Sequence, residues 1–261
     1  MPLTGLFIVT VGPGQSSPSG ALISHISRSF PAQPLPTFSL DHRLFIDTSS
    51  LLPSSNASLR KSTSILTISH TPATTYVATT SPASQSKEQP AVAPSPTLIT
   101  IPSTSADSFT QLIGTKFQPL WTHRQSLVIE NGTALSFLDA EWIIRIGDLK
   151  TPPRANQAGS NLRGMLVEVS HIEDDGNMRS KGSGDVQKDG LDVDKEDEAL
   201  LRGFLDSVTN GSGVPSITSS DSNRFLIRRT KVREMDKGAA SPTANFEVAS
   251  LYLDFLRGSR G

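Results

Sequence analysis

The sequence predicts an α+β protein built on an antiparallel β-barrel of about eight strands, flanked by helices and interrupted by long disordered loops. Three observations carry this prediction. Short β-branched and aliphatic runs follow one another through the middle of the chain, without a helix between each pair. Several of them alternate apolar with polar residues, as strands with one face on a core do. Four amphipathic helical segments stand near the start, centre and end instead of alternating with strands. Consecutive strands joined by hairpins favour antiparallel pairing and closure into a barrel.

Residues 3–11 are apolar on both faces and read as a doubly covered strand, ended by Gly12-Pro13-Gly14. Ser17-Pro18 then suits a helix start, with Leu22, Ile23, Ile26 and Phe30 at helical spacing and Pro31 as the stop. Residues 37–47 alternate: Phe38, Leu40, Leu44 and Ile46 share a face with His42, while Ser39, Asp41, Arg43 and Asp47 share the other. Thr-rich runs at 62–69 and 75–80 and the short run 97–101 add three more strands. Between them, 81–96 holds four prolines and almost no large apolar residue, and is expected to be a flexible loop. Phe109, Leu112, Ile113 and Phe117 fit a second helix.

Asn131-Gly132, flanked by Leu127–Glu130 and Thr133–Phe137, predicts a two-residue type I′ hairpin turn, because both residues tolerate positive φ. Strands follow at 141–149, with Trp142, Ile144 and Ile146 on one face, and at 162–172, with Met165, Val167 and Val169 aligned. The acidic, Gly-rich stretch 173–195 is expected to be a disordered loop. Leu200, Leu201, Phe204, Leu205 and Val208 then line a helix with Glu196, Asp197 and Glu198 in its first turn, where the dipole favours carboxylates. A loop at 211–223 precedes 225–232, which is apolar and basic and compatible with either helix or strand. Ser241-Pro242 opens a last helix striped by Val248, Leu251, Tyr252, Phe255 and Leu256, with Gly258 as its cap. Residues 1–261 are read as one domain.

The composition excludes several chemistries. With no cysteine there is no disulfide, thiolate nucleophile or Cys-based metal site. The formal net charge of −1 lacks the basic surplus that phosphate binding requires, so protein partners are expected and direct nucleic-acid contact is not. No apolar run reaches the roughly 20 residues of a spanning helix, and the apolar N-terminus lacks the basic start of a signal peptide. His25, His42, His70, His123 and His171 show no metal-ligand spacing. Gly12-Pro13-Gly14 lacks a phosphate-loop Lys and has Ser17 where a third glycine would complete the dinucleotide motif. No G-x-S-x-G elbow is present, although the many serines leave a serine hydrolase as a remote alternative. Arg224, Arg228, Arg229, Lys231 and Arg233 form one basic cluster, for which a solvated face is preferred to an import signal or a phosphate patch; the interleaved Phe225, Leu226 and Ile227 suit a packed amphipathic element. No catalytic, metal or cofactor site is predicted.

One block has a recognisable pattern. Asp139-Ala140-Glu141-Trp142-Ile143-Ile144-Arg145-Ile146-Gly147-Asp148 is followed, after a Pro/Gly-rich loop, by Arg163-Gly164-Met165-Leu166-Val167-Glu168-Val169. This resembles the central strand pair of the Mediator subunit 20 family, the TATA-binding-protein-related factors of the Mediator head. Thr122-His123-Arg124, the helix at 200–208 and the C-terminal helix come in the family's order. The stretches 81–96 and 173–195 look like lineage-specific insertions, as in filamentous fungi. The resemblance implies a nuclear, non-enzymatic coactivator subunit with a barrel fold and no cofactor. It implies a heterodimer with Mediator subunit 18, proximity to the C-terminal segment of subunit 8, and contacts with other head subunits and RNA polymerase II. The expected partner-binding residues are Trp121 and, on an exposed side of the last helix, Leu251, Tyr252 and Phe255. The family's other name raises the alternative of a DNA-associated basal transcription factor, which would need a basic face.

Overall fold

The computed structural model describes residues 2–12, 14–48, 61–80, 97–118, 120–153, 161–172, 195–215, 217–218, 224–229 and 242–257. Of the expected loops, all of 81–96, all of 173–195 except Lys195, which opens a helix, and residues 216 and 219–223 of 211–223 lie outside these residues. So do Lys231, Arg233, Ser241 and the proposed cap Gly258. Among the described residues nine strands and four α-helices follow in the order β1 (Leu3–Thr10), α1 (Ser19–Ser29), β2 (Gln33–Asp47), β3 (Ser62–Ile68), β4 (Thr74–Thr80), β5 (Thr97–Pro102), α2 (Ala106–Gln111), β6 (Trp121–Phe137), β7 (Trp142–Thr151), β8 (Asn161–His171), α3 (Lys195–Thr209), β9 (Arg224–Arg229) and α4 (Pro242–Arg257). The second helix is shorter than its apolar spacing predicts, because after Gln111 the chain widens into a π-turn over Leu112–Lys116. Of the undecided segment 225–232, residues 225–229 belong to the strand β9, and 230–232 lie outside the described residues.

The strands form one sheet in the order β5-β4-β3-β2-β6-β7-β8-β1-β9. It is not a barrel: β5 and β9 end the order instead of pairing with each other. Their sequences oppose closure. Ser103 N–H donates to the Ala73 carbonyl at 3.1 Å, which continues the β4–β5 register. In an antiparallel ladder that phase turns the backbone groups of Leu98, Thr100 and Pro102 away from β4. Pro102 therefore puts a position without an N–H on the outer edge, a common way of blunting an edge strand. At the other end β9 carries Arg224, Arg228 and Arg229 within six residues.

The chain divides into two compact units. The first comprises Met1–Phe38, Ile129–Lys150 and Leu162–Phe255. Here β8, β1 and β9 pair antiparallel, with Phe7 opposite Val167 on one side and Phe225 on the other. Because side chains alternate between faces, Phe7, Val9, Ile144, Ile146, Met165 and Val167 form one buried layer. It is covered by Leu22 and Ile26 of α1 and by Leu201, Leu205 and Val208 of α3. The intervening Leu6, Ile8, Leu166 and Glu168 are buried on the other face, where Tyr252 of α4 donates to Glu168. Pro18 takes the N-cap position of α1, and Ser17 stands two residues before the helix; its hydroxyl accepts from the Ser19 N–H at 3.2 Å and donates to Asp148 of β7.

The second unit comprises Ser39–Val128, Thr151–Asn161 and Leu256–Gly261. Strands β2 to β5 pair as consecutive antiparallel neighbours. Phe45, Ile65 and Val77 pack with Ile113 of the π-turn, and Ile101, Phe109 and Trp121 close around them. The sequence pattern left Phe45 unassigned to a face; it is buried because α2 and the π-turn cover the side that carries Arg43. Arg43 fixes that cover by pairing with Asp41 at 2.6 Å and with Asp107 of α2 at 3.0 Å. The Thr-rich character of β3 and β4 has a direct cause: Thr67 and Thr75 hydroxyls meet at 2.8 Å and those of Thr63 and Thr79 at 3.2 Å, each pair in register.

The predicted Asn131-Gly132 hairpin does not exist. β6 runs unbroken from Trp121 to Phe137. The reversal into β7 is made by Leu138, Asp139 and Ala140, all at positive φ (49°, 54° and 75°), and the Glu141 N–H closes it on the Leu138 carbonyl at 3.1 Å. Gly132 is instead a point of close approach. A Cβ there would lie 2.8 Å from the Ile146 carbonyl oxygen, 2.8 Å from the Phe38 ring and 3.0 Å from the Phe38 carbonyl oxygen.

Candidate interaction surface

The family-like strands β7 and β8 place a charged network inside the first unit. Arg145 and Glu168 face the α4 side. The Arg145 guanidinium lies 2.5 Å from a Glu168 oxygen, and Glu168 is only 1% exposed. The Ser170 hydroxyl donates to the same carboxylate at 3.1 Å and lies 3.2 Å from the Thr4 hydroxyl. The phenol of Tyr252 donates to the second carboxylate oxygen. Burial, and the charge of Glu168, hold the Tyr252 phenol well above its ordinary pKa, so it remains a neutral donor. Charge, hydroxyls and phenol satisfy one another internally and fasten α4 to the sheet.

The basic cluster is committed in the same way. Arg229 forms an ion pair with Asp197 in the first turn of α3. Arg228 pairs with Asp254 at 3.1 Å and donates to the Ser250 hydroxyl at 2.9 Å. Arg224 donates to the Asp254 carbonyl at 3.3 Å, with its guanidinium 5.2 Å from the Phe255 ring centroid. Arg202 of α3 stacks over Phe225 at 3.8 Å. The three described arginines of the cluster thus bind helices of the chain itself instead of forming the solvated face that the sequence reading preferred, while the packed amphipathic character of the segment is kept.

The five histidines are dispersed. His25 meets Phe30 edge-on at 6.1 Å. His123 Nε2 lies 2.8 Å from the Ser126 hydroxyl on β6, with the ring edge-on to Phe45. His171 meets Glu141 at 3.2 Å and lies against the Trp142 ring, which stacks on Phe204 at 4.1 Å. Among the described residues no three His, Asp or Glu side chains gather as metal ligands. The hollow at the β1–α1 turn is bordered by Val9, Thr10, Gln15, Ser16, Pro18 and Pro215, and no ionisable side chain lines it.

His42 is the exception in burial. It is wholly enclosed on β2, and neither ring nitrogen has a hydrogen-bond partner. Burial, assisted by the nearby Arg257 charge, lowers its pKa from 6.5 to about 4. The ring is therefore neutral when folded and protonates readily when unfolded. The contribution of His42 to stability is fully present above pH 6.5 and falls as pH drops toward 4, because in that range the unfolded chain takes up the proton more readily. The loss approaches about 3 kcal/mol. Urea titrations from pH 7 to pH 4 should show His42→Leu with a flatter pH dependence than the parent; parallel curves would contradict this.

The expected partner-binding residues separate into two kinds. Leu251, Tyr252 and Phe255 are each 0% exposed. The stripe of α4 turns inward onto buried polar and apolar groups, so these side chains offer no accessible surface and the expected exposed apolar side does not include them. Trp121 is half-buried on the rim of the second unit's core. In the same unit the sequence reading missed further exposed apolar side chains: Leu112 (42% exposed), Phe117 (44%) and Leu120 (39%) in the segment leading to Trp121, and Ile99 (50%) on β5. The spacing of Phe109, Leu112, Ile113 and Phe117 was the available signal, but it was read only as a second helix, without asking which of these side chains stay exposed. Ile101 and Ile113 share one core cluster, so β5 and the π-turn stand on the same face of this unit. The Phe117 carbonyl accepts from the N–H groups of Leu120 and Trp121, both at 2.8 Å, and Thr48 N–H donates to the Leu120 carbonyl at 3.0 Å. The exposed side chains thus stand on a backbone held by hydrogen bonds. Exposed apolar side chains concentrated in this way mark interaction sites more often than solvent faces.

Comparison with known proteins gives one family. The family model described as "TATA-binding related factor (TRF) of subunit 20 of Mediator complex" matches residues 8–257. No curated protein sequence matches. Among solved structures, the PH1819 protein from Pyrococcus horikoshii OT3 is similar over 82% of this chain and 92% of its own, at 9% identity and a TM-score of 0.35. A superposition that loose bears on neither fold nor function.

Proposed function

The chain belongs to the TATA-binding related factor family of Mediator subunit 20, and from that premise we propose that it is a non-catalytic subunit of the Mediator head, a coactivator that works by docking against a neighbouring subunit. Membership of the family makes it a nuclear component of the Mediator complex acting in transcription regulation. The docking partner is Mediator subunit 18, with the C-terminal segment of subunit 8 nearby, and through them the chain passes regulator signals to RNA polymerase II.

The observation that carries this reading is the exposure of Leu112, Phe117 and Leu120 along the segment leading to the half-buried Trp121, with Ile99 exposed on β5 of the same unit. Strand addition is the less favoured mode of docking, because Pro102 blunts β5 and β9 is lined with arginine. A face of aromatic and aliphatic side chains, with a half-buried tryptophan among them, suits the centre of a protein interface instead. The internal pairing of Arg228 and Arg229 removes much of the free positive charge that a DNA-associated factor would use.

The test is co-expression with subunit 18, followed by affinity capture and sizing. A one-to-one complex that persists at elevated salt is expected, since its contacts are mainly apolar. Failure to co-purify would remove the proposal, and a complex lost on modest addition of salt would replace it with an electrostatic mode.

A further inference from the structure

The sequence contains two Asn-Gly pairs, Asn131-Gly132 and Asn210-Gly211, and the fold places them in opposite circumstances. We infer that Asn210 is a site of spontaneous deamidation and that Asn131 is protected from it. The reaction is intramolecular. The backbone nitrogen of the glycine attacks Cγ of the asparagine, and its proton passes to a solvent base. The bond from Cγ to the amide nitrogen breaks, ammonia leaves, and a succinimide ring remains. Water then adds to one of the two ring carbonyls and opens it to aspartate or isoaspartate. Nothing is oxidised or reduced, and solvent is the only co-reactant.

The geometric requirement is that the asparagine side chain swing onto the next backbone nitrogen, which regular strand or helix geometry prevents. Asn210 is exposed and directly follows the last residue of α3. Its N–H makes a terminal helical bond to the Asp206 carbonyl at 2.9 Å. Gly211 stands at φ 82°, a left-handed conformation that glycine adopts freely, and it has no side chain to crowd the attack. Fraying one residue at a helix end requires little free energy.

Asn131 is exposed too, but it lies inside β6, which has β2 and β7 as neighbours on its two sides. Gly132 beneath it is buried against the Ile146 carbonyl and the Phe38 ring, both 2.8 Å from where a Cβ would stand. Reaching the succinimide there requires opening the sheet, at a cost near that of global unfolding.

The product matters at Asn210. It adds one negative charge to a net charge of −1, and it does so at a helix C-terminus, where the dipole disfavours anions. The isoaspartyl form also lengthens the backbone beside the His25 ring, 3.5 Å from the Cβ position of Gly211.

The experiment incubates the purified full chain at mildly alkaline pH, folded and in denaturant, and follows both pairs by peptide mass mapping and ion exchange. In the folded chain, conversion at Asn210 is expected to exceed that at Asn131 by more than about ten-fold. In denaturant the two rates should converge, and Asn210→Gln should abolish the early acidic species. Equal rates in the folded chain, or a stable Asn210, would overturn the inference. Persistent slowness of Asn131 in denaturant would overturn the protection argument.

Discussion

Replacing Arg145 with methionine is expected to lower the unfolding free energy by about 3–5 kcal/mol. The cause is what remains behind. Glu168 is 1% exposed, and Arg145 is its cationic partner at 2.5 Å. Without the guanidinium, the carboxylate keeps hydrogen bonds from Ser170 and Tyr252, but its charge is uncompensated in a low-dielectric setting. The double variant Arg145→Met/Glu168→Leu removes both charges together, and most of the loss should be recovered, because a buried ion pair is often replaceable by packed apolar groups. Equilibrium urea unfolding of parent, single and double variants checks this. A single variant within about 1 kcal/mol of the parent would show that the pair adds little to the attachment of α4.

Gly132→Ala is expected to cost about 2–4 kcal/mol. The new methyl would meet the Ile146 carbonyl oxygen at 2.8 Å and the Phe38 carbonyl oxygen at 3.0 Å, with the Phe38 ring also at 2.8 Å. Two of these three obstacles are backbone atoms, which cannot rotate away, and Phe38 is itself fully buried. Asn131→Ala, one residue earlier and exposed, is the control and should stay within about 0.5 kcal/mol. Thermal or urea unfolding of the pair decides it; equal stabilities would mean that β2 and β7 give way around the added carbon.

These two sites also show where the sequence was legible. The strand pattern around Arg145 and Glu168 was read correctly, since Trp142, Ile144, Ile146 and Met165, Val167, Val169 keep strict alternation. The charged residues between them face the other way, and the local pattern assigned that face neither cover nor exposure. Only the arrival of α4, from far along the chain, buries them. The same tertiary event hides Leu251, Tyr252 and Phe255.

The Asn131-Gly132 reading failed for a different reason. Asn-Gly permits a type I′ turn, but glycine is also selected where two backbones approach closely, and local sequence does not distinguish these uses. The actual reversal at Leu138, Asp139 and Ala140 gave no glycine signal. Leu138 and Ala140 take left-handed conformations at a cost of about 1–2 kcal/mol each, which the flanking β6 and β7 must offset. Barrel closure was misjudged because alternation reports which face is buried, whereas closure depends on the unpaired edges, where Pro102 and the arginines of β9 act. The candidate surface was only partly legible for a related reason. Trp121 was identified from side-chain size, but Leu112 and Phe117 share a helical spacing with Ile113, and only the latter is buried.

The most direct measurement is the dissociation constant for subunit 18, by calorimetry, of the parent chain, Phe117→Asp and Leu138→Asp. Phe117 lies in the proposed surface, while Leu138, 66% exposed, lies at the β6–β7 turn in the other unit. Weakening by about ten-fold or more is predicted for Phe117→Asp, with its melting temperature unchanged, and parental affinity is predicted for Leu138→Asp. Parental affinity for Phe117→Asp, or greater damage from Leu138→Asp, would contradict the account.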